Sequence, residues 1–246
     1  MINDKLLADI KAHAAESAPR ECCGLIVTYR RKKTYHRCRN IATARNDDFI
    51  MHPDDYAAAE DKGTVLAIVH SHVNVSPKPS QADLVSIERN GLPWVIVNHP
   101  VGTWTVTEPS GYVAPLVGRE FVHGVLDCLT LICDHYDQSI GIVLKDRNGD
   151  LLKNIPREPE WWLKGQDMYR DHMDEAGFVE VPFEQLRKHD VILMRVASPV
   201  ENHGAIYLGD NIILHHVHGQ LSGRNPYGGW WRRITTGVLR HKALLP

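Results

Sequence analysis

The sequence predicts two domains that each mix helices with strands, of the α/β or α+β class. Three observations carry this. Apolar runs of strand length alternate with stretches of helical spacing along the whole chain. The chain has 246 residues, long for one domain and ordinary for two. A turn-rich stretch at 108–115, with Pro109, Gly111 and Pro115, interrupts the pattern. The expected organisation is a first domain at 1–108, a linker at 109–115 and a second domain at 116–246.

Composition narrows the function classes. The chain is 43% apolar and 24% charged, as a folded soluble protein is, and its net charge of −2 gives no argument for a nucleic-acid partner. No apolar run reaches the length of a membrane span, and residues 1–5 lack the apolar segment of a signal peptide. Five cysteines, odd in number and sparse, do not form a disulfide framework. Fifteen histidines, several of them clustered, point toward metal or acid–base chemistry.

Residues 3–16 read as a helix, with Leu6, Leu7, Ile10, Ala14 and Ala15 at helical spacing, Asn3 as the cap and Pro19 beyond its end. Leu25, Ile26 and Val27 read as a buried strand with Glu21 at its start. Taken alone, Glu21 is a solvated carboxylate at a strand edge. Cys22 and Cys23 are neighbours on that strand and point to opposite faces, so at least one is core rather than a metal ligand. The basic stretch from Arg30 to Arg39 reads as a hairpin tip and exposed strand rather than a nucleic-acid patch. Pro53 opens a helix that runs through Glu60. Residues 64–69 form a second buried strand, 84–88 a helix closed by Gly91, and 94–97 and 102–106 two further strands.

The strand at 64–69 leads into His70-Ser71-His72. Two histidines at i and i+2 on a strand project to one face. A Pro/Ser-rich loop then delivers Asp83. Two imidazoles and one carboxylate leave one zinc position open for water, which is a catalytic rather than a structural set. With Glu21 upstream, the full pattern is Glu, His-x-His, seven residues, Ser80, two residues, Asp83. In this it resembles the JAMM metallopeptidase family over about residues 1–108. The resemblance implies zinc held by His70, His72 and Asp83, with Glu21 carrying a proton from water to the leaving amine. It also implies that Ser80 helps bind the oxyanion, and that the bond cut is a peptide or isopeptide bond.

Beyond the connector, Leu129, Ile132, Cys133 and Tyr136 share one helical face, which places Cys128 at a helix N-terminus. That position is expected to lower a thiol's pKa, while Cys133 packs as core. Residues 190–194 read as a strand. Residues 203–208 and 212–216 read as a hairpin around Asp210-Asn211. Antiparallel pairing brings His203 beside His215, with His216 facing away. Cys128, His203 and His215 then supply a thiol, a proton acceptor and a group to fix the acceptor's tautomer. Residues 146–150 read as a β-turn rather than a calcium loop, and the Trp161-Trp162 and Trp230-Trp231 pairs as core or partner contacts.

Asp127-Cys128 before a helix, His203-Gly204-Ala205-Ile206-Tyr207-Leu208-Gly209, and His215 twelve residues after His203 resemble the NlpC-type cysteine peptidases over about residues 112–246. Leu129-Thr130 stands where that family commonly has Ser-Gly. The resemblance implies a papain-like α+β domain in which Cys128 attacks peptidoglycan stem peptides. A JAMM-like domain followed by an NlpC-like domain resembles the tail assembly proteins of lambda-like phages and prophages. That implies phage tail tip proteins and peptidoglycan stem peptides as partners, with no nucleic acid and no membrane span. It places the chain in the host cytoplasm during assembly or at the virion tail tip. The alternative is a structural factor whose peptidase-like domains serve as docking modules.

Overall fold

The computed structural model describes residues 2–43 and 47–245. Two units divide the chain, Met1–Val113 and Ala114–Pro246. In the first, Asn3 starts α1 (Asp4–Ser17) by accepting the Leu6 amide at 2.9 Å, and Leu6, Ile10 and Ala14 form its buried stripe. β1 (Cys23–Tyr29) and β2 (Lys32–Cys38) form a hairpin whose turn residues Arg30 and Arg31 have φ of 47° and 66°, the left-handed pair that suits strand twist. α2 (Pro53–Glu60) and β3 (Thr64–Val73) follow. α3 (Gln81–Asn90) ends at Gly91, in the left-handed region at φ 66°, and leads to β4 (Trp94–His99) and β5 (Trp104–Thr107).

The strand order is β2-β1-β3-β4-β5. β3 and β4 are parallel, with α3 as the crossover, and the other pairs are antiparallel. α1 sets Leu6 and Ile10 against Ile26, Ala67, Val69, Val95 and Val97 on one sheet face. α2 and α3 set Ala59 and Ile87 against Leu25, Ile68 and Trp94 on the other. His70 and His72 continue the alternation from Ile68, so both face the second side. Ser71 faces the first, and its hydroxyl accepts the Cys22 amide at 2.8 Å, which ties the segment carrying Glu21 to the end of β3.

The second unit contains α4 (Cys128–Ile140), α5 (Met168–Met173), β6 (Phe178–Glu180), β7 (Val191–Met194), β8 (His203–Gly209), β9 (Ile212–His215), β10 (Gly223–Pro226), α6 (Gly229–Arg233) and β11 (Thr235–His241). Its sheet is antiparallel throughout, in the order β10-β9-β8-β7-β11-β6. The α4 face of Leu129, Ile132, Cys133 and Tyr136 packs on Val191, Leu193, Ile206 and Leu214. Gly204 makes this approach feasible. A Cβ there would lie 2.7 Å from Ile132 Cδ1 and 2.9 Å from the Tyr169 hydroxyl. The β8–β9 hairpin turns at Asp210 and Asn211, with φ of 50° and 55°.

One buried ion pair ties β11 to the start of β7. The Arg240 guanidinium donates to both Asp190 carboxylate oxygens, at 2.8 and 2.7 Å, with 3% and 1% of the two side chains exposed. Arg240→Met leaves that carboxylate buried without its cation and should destabilise the second unit by about 3–5 kcal/mol. Denaturant unfolding read by tryptophan fluorescence checks this, and a loss below about 1 kcal/mol would contradict it.

Candidate functional site

The first cluster lies at the end of β3. His72 Nδ1 is 2.6 Å from the Ser76 carbonyl. A carbonyl only accepts, so Nδ1 carries a ring proton, and in the neutral ring Nε2 holds the lone pair. That Nε2 lies 3.4 Å from Asp83 Oδ2, and His70 Nε2 lies 3.5 Å from Asp83 Oδ1. Ser80 caps α3 and orients Asp83. Its hydroxyl donates to Oδ2 at 2.8 Å and its amide does so at 2.7 Å, while the hydroxyl oxygen accepts the Asp83 amide at 3.1 Å. Ligand atoms of Glu21, His70 and His72 fall within 4.8 Å of one another. All three side chains and Asp83 are buried.

These groups fit zinc. Adjacent ligand atoms of a tetrahedral zinc with bonds near 2.0–2.1 Å stand about 3.3 Å apart. The Asp83–histidine separations, 3.4 and 3.5 Å, are close to that length. Among the described residues no Lys or Arg pairs with Asp83. Burial opposes its charge, yet His72, His70 and Ser80 pull its carboxyl down to about 2. Burial takes His70 down to about 4, keeping it neutral. For His72, burial is outweighed by Asp83 and the Ser76 carbonyl, and its pKa rises. Burial lifts the Glu21 carboxyl to about 8, so without a nearby cation it holds its proton at neutral pH.

The second cluster surrounds the start of α4. Asp127 caps that helix by accepting the Thr130 amide at 3.0 Å and also accepts the Gly124 amide at 2.9 Å. Arg157 clamps the carboxylate from Nε and Nη2 at 2.7–2.9 Å. Burial opposes the charge on Asp127, but Arg157 and the two amides keep its pKa low. Cys128 is half-buried, and the Tyr169 hydroxyl lies 3.1 Å from its Sγ.

β8 and β9 bring His203 and His215 together, with His203 Nε2 at 3.1 Å from His215 Nδ1. His215 Nε2 is in turn 3.1 Å from Asn225 Oδ1 on β10. The chain of tautomers follows from its last acceptor. Asn225 Oδ1 accepts from His215 Nε2–H, His215 Nδ1 accepts from His203 Nε2–H, and His203 Nδ1 is left with the lone pair. Burial and the neighbouring His215 and His216 push the His203 pKa down to about 3, so it rests as a neutral base. Trp231 packs edge-on to His215 at 4.5 Å between ring centroids.

No hydrogen bond joins Cys128 to His203 among the described residues. Tyr169 holds the sulfur, and the Gly204 backbone beside His203 lies against it. The helix N-terminus was expected to depress the thiol's pKa. Instead burial, followed by the Asp127 carboxylate, raises it above the ordinary value, outweighing Tyr169, Gly204 and Arg157. His216 is fully buried and edge-on to Phe121, apart from the His203–His215 pair. Asn225, Tyr169 and Arg157 were not picked out from sequence. Asn225 is the most legible of them, because strand alternation after His215 marks the facing edge strand as a source of acceptors.

Residues 3–108 match the prokaryotic homologs of the JAB domain, and residues 118–240 match the NlpC/P60 family. The chain is 38% identical over 243 residues to the tail tip assembly protein K of Escherichia phage N15, covering 98% of this chain and 96% of that protein. It is 39% identical over 193 residues to the protein of the same name from Escherichia phage lambda, covering 78% and 90%. Among solved structures, a JAB1/MPN domain protein from Archaeoglobus fulgidus aligns at 24% identity and a TM-score of 0.31, over 45% of this chain and 90% of that one.

A raised thiol pKa fixes the pH response of Cys128. The thiolate is the nucleophile, so its alkylation by iodoacetamide should keep rising through pH 9, past the ordinary thiol value of about 8.5. Peptide mass spectrometry separates it from the buried Cys22, Cys23, Cys38 and Cys133. A rate already level near pH 7 would reveal a preformed thiolate–imidazolium pair instead.

Proposed function

The chain belongs to the family of the phage tail tip assembly protein K, and from that membership we propose that it acts in building the tail tip as an amide-bond hydrolase with two separate centres. The observation that supports this best is that Glu21, His70, His72 and Asp83 lie together and buried at the end of β3, while the start of α4 brings the Cys128 sulfur against the Gly204 backbone beside His203. The partners are other tail tip proteins and, for the thiol centre, peptidoglycan stem peptides. Its place of work is the host cytoplasm during assembly, or the tail tip itself.

In the first centre, His70, His72 and Asp83 would hold zinc, which when bound would supply Lewis-acid activation of water and of the carbonyl to be attacked. Glu21 accepts the proton of the attacking water and passes it to the leaving amine. Burial keeps the Glu21 carboxyl protonated at neutral pH, so Glu21 needs a cation beside it to act as the base. Ser80 holds Asp83 in the resting site and turns its hydroxyl toward the developing oxyanion. The substrate is a peptide or isopeptide bond.

In the second centre, substrate binding releases the Cys128 sulfur from Tyr169 to His203. His203 Nδ1 takes the thiol proton as sulfur attacks the carbonyl, and the resulting imidazolium is shared through Nε2 with His215. His203 then protonates the leaving amine, and water hydrolyses the thioester. The bond proposed is the γ-D-glutamyl–diaminopimelate link of wall peptides.

Digestion of purified peptidoglycan, with products identified by mass spectrometry, tests this. The wild type should release stem-peptide fragments, Cys128→Ala none, and the variant carrying both His70→Ala and His72→Ala should still release them. The wild type should also hold about one zinc per chain, absent from the double histidine variant. Undiminished hydrolysis by Cys128→Ala would remove the thiol role. Protein that takes up no zinc would remove the metal role and favour the docking alternative for that unit.

A further inference from the structure

The two histidines at the end of β3 are held by different means. His72 has the usual anchor of a metal ligand, a hydrogen bond from Nδ1 to a backbone carbonyl. His70 does not. Its Nδ1 is buried and finds no hydrogen-bond partner among the described residues. Only 1% of the residue is exposed, so its orientation comes from what packs on it. Phe49 stacks on its face, at 4.8 Å between centroids and 22° between planes. Trp94 meets it at 5.3 Å and 78°.

Phe49 lies outside the regular elements, yet its backbone is pinned from both sides by one side chain. Asn40 Nδ2 donates to the Asp48 carbonyl at 3.0 Å, and Asn40 Oδ1 accepts the Ile50 amide at 3.1 Å. The same Nδ2 donates to the Glu21 carbonyl at 3.0 Å. Asn40 thus links the backbone of the proposed general base to the residue stacked on a proposed ligand.

We propose that Phe49, seated by Asn40, is the positioning residue of His70 and supplies by ring stacking the orientation that Ser76 gives His72 by hydrogen bond. This rests on the zinc reading of the site. The stack also distinguishes the metal-bound ring from the free one. An imidazole that donates its lone pair to a dication becomes electron-poor, and the negative face of a phenyl ring attracts such a ring more strongly. Phe49 therefore favours the zinc-bound state beyond filling space. An aliphatic side chain of similar bulk does not.

Zinc affinity measured on the full-length protein by chelator competition tests this without any substrate. Phe49→Leu and Phe49→Met keep an apolar side chain and lose the aromatic face. Each should weaken zinc binding roughly tenfold or more, as loss of an outer partner commonly does, while the metal-free protein melts near the wild-type temperature. Phe49→Tyr should retain affinity within about threefold, and Asn40→Ala should resemble Phe49→Leu. Wild-type affinity in both Phe49→Leu and Phe49→Met would overturn the proposal while leaving the zinc site standing. Wild-type protein that binds no zinc, or His70→Ala protein that still binds it, would overturn the zinc reading and the proposal with it.

Discussion

A neutral imidazole has one ring proton and two nitrogens, so an acceptor at one nitrogen makes the other a ligand or a base. Both candidate centres depend on this. The Ser76 carbonyl accepts a hydrogen bond from His72 Nδ1–H and turns Nε2 toward Asp83. Asn225 Oδ1 accepts from His215 Nε2–H, and the effect passes through His215 Nδ1 to His203, whose Nδ1 is left with the lone pair. In each unit an acceptor lies where the tautomer must be fixed. For His72 the acceptor comes from the loop after β3, and for His215 from the edge strand β10.

Asp127 and Asp83, both buried carboxylates, show how charge separates the chemistries. Asp127 has its own cation in Arg157 and two backbone amides besides, so its work is to start α4 beneath the thiol. Among the described residues, the hydrogen-bond and ion-pair partners of Asp83 are the two imidazoles and Ser80. A buried carboxylate that faces two ring nitrogens at the edge length of a zinc tetrahedron is arranged for an added cation. The same burial that makes such a cation favourable would otherwise keep Glu21 protonated. At the thiol centre burial acts without a metal. It raises the Cys128 thiol pKa and lowers that of His203, so both rest neutral.

Much of this was legible in the sequence, because it rests on local periodicity. The i, i+2 histidines needed only strand alternation, and the observed β3 carries both on one face. Asn3 and Asp127 cap their helices as their positions suggest. The Asp210-Asn211 turn forms the hairpin that joins His203 to His215. What stayed hidden depends on contacts between distant segments. Arg157 reaches Asp127 across thirty positions and Tyr169 reaches Cys128 across forty-one. Phe49 reaches His70 only because Asn40 pins a stretch without regular structure. Spacing also misjudged the thiol. A helix N-terminus predicts a lower pKa, but it gives no sign of the burial that reverses the direction.

The central claim is that the first unit holds zinc through two imidazoles and a carboxylate, in a chain that also carries five cysteines. X-ray absorption at the zinc edge distinguishes the two ligand chemistries directly. The ligand set of His70, His72 and Asp83 predicts a first shell of nitrogen and oxygen alone at about 2.0–2.1 Å, with the outer scattering of two imidazole rings. A sulfur shell near 2.3 Å would place the metal on cysteine and contradict the account.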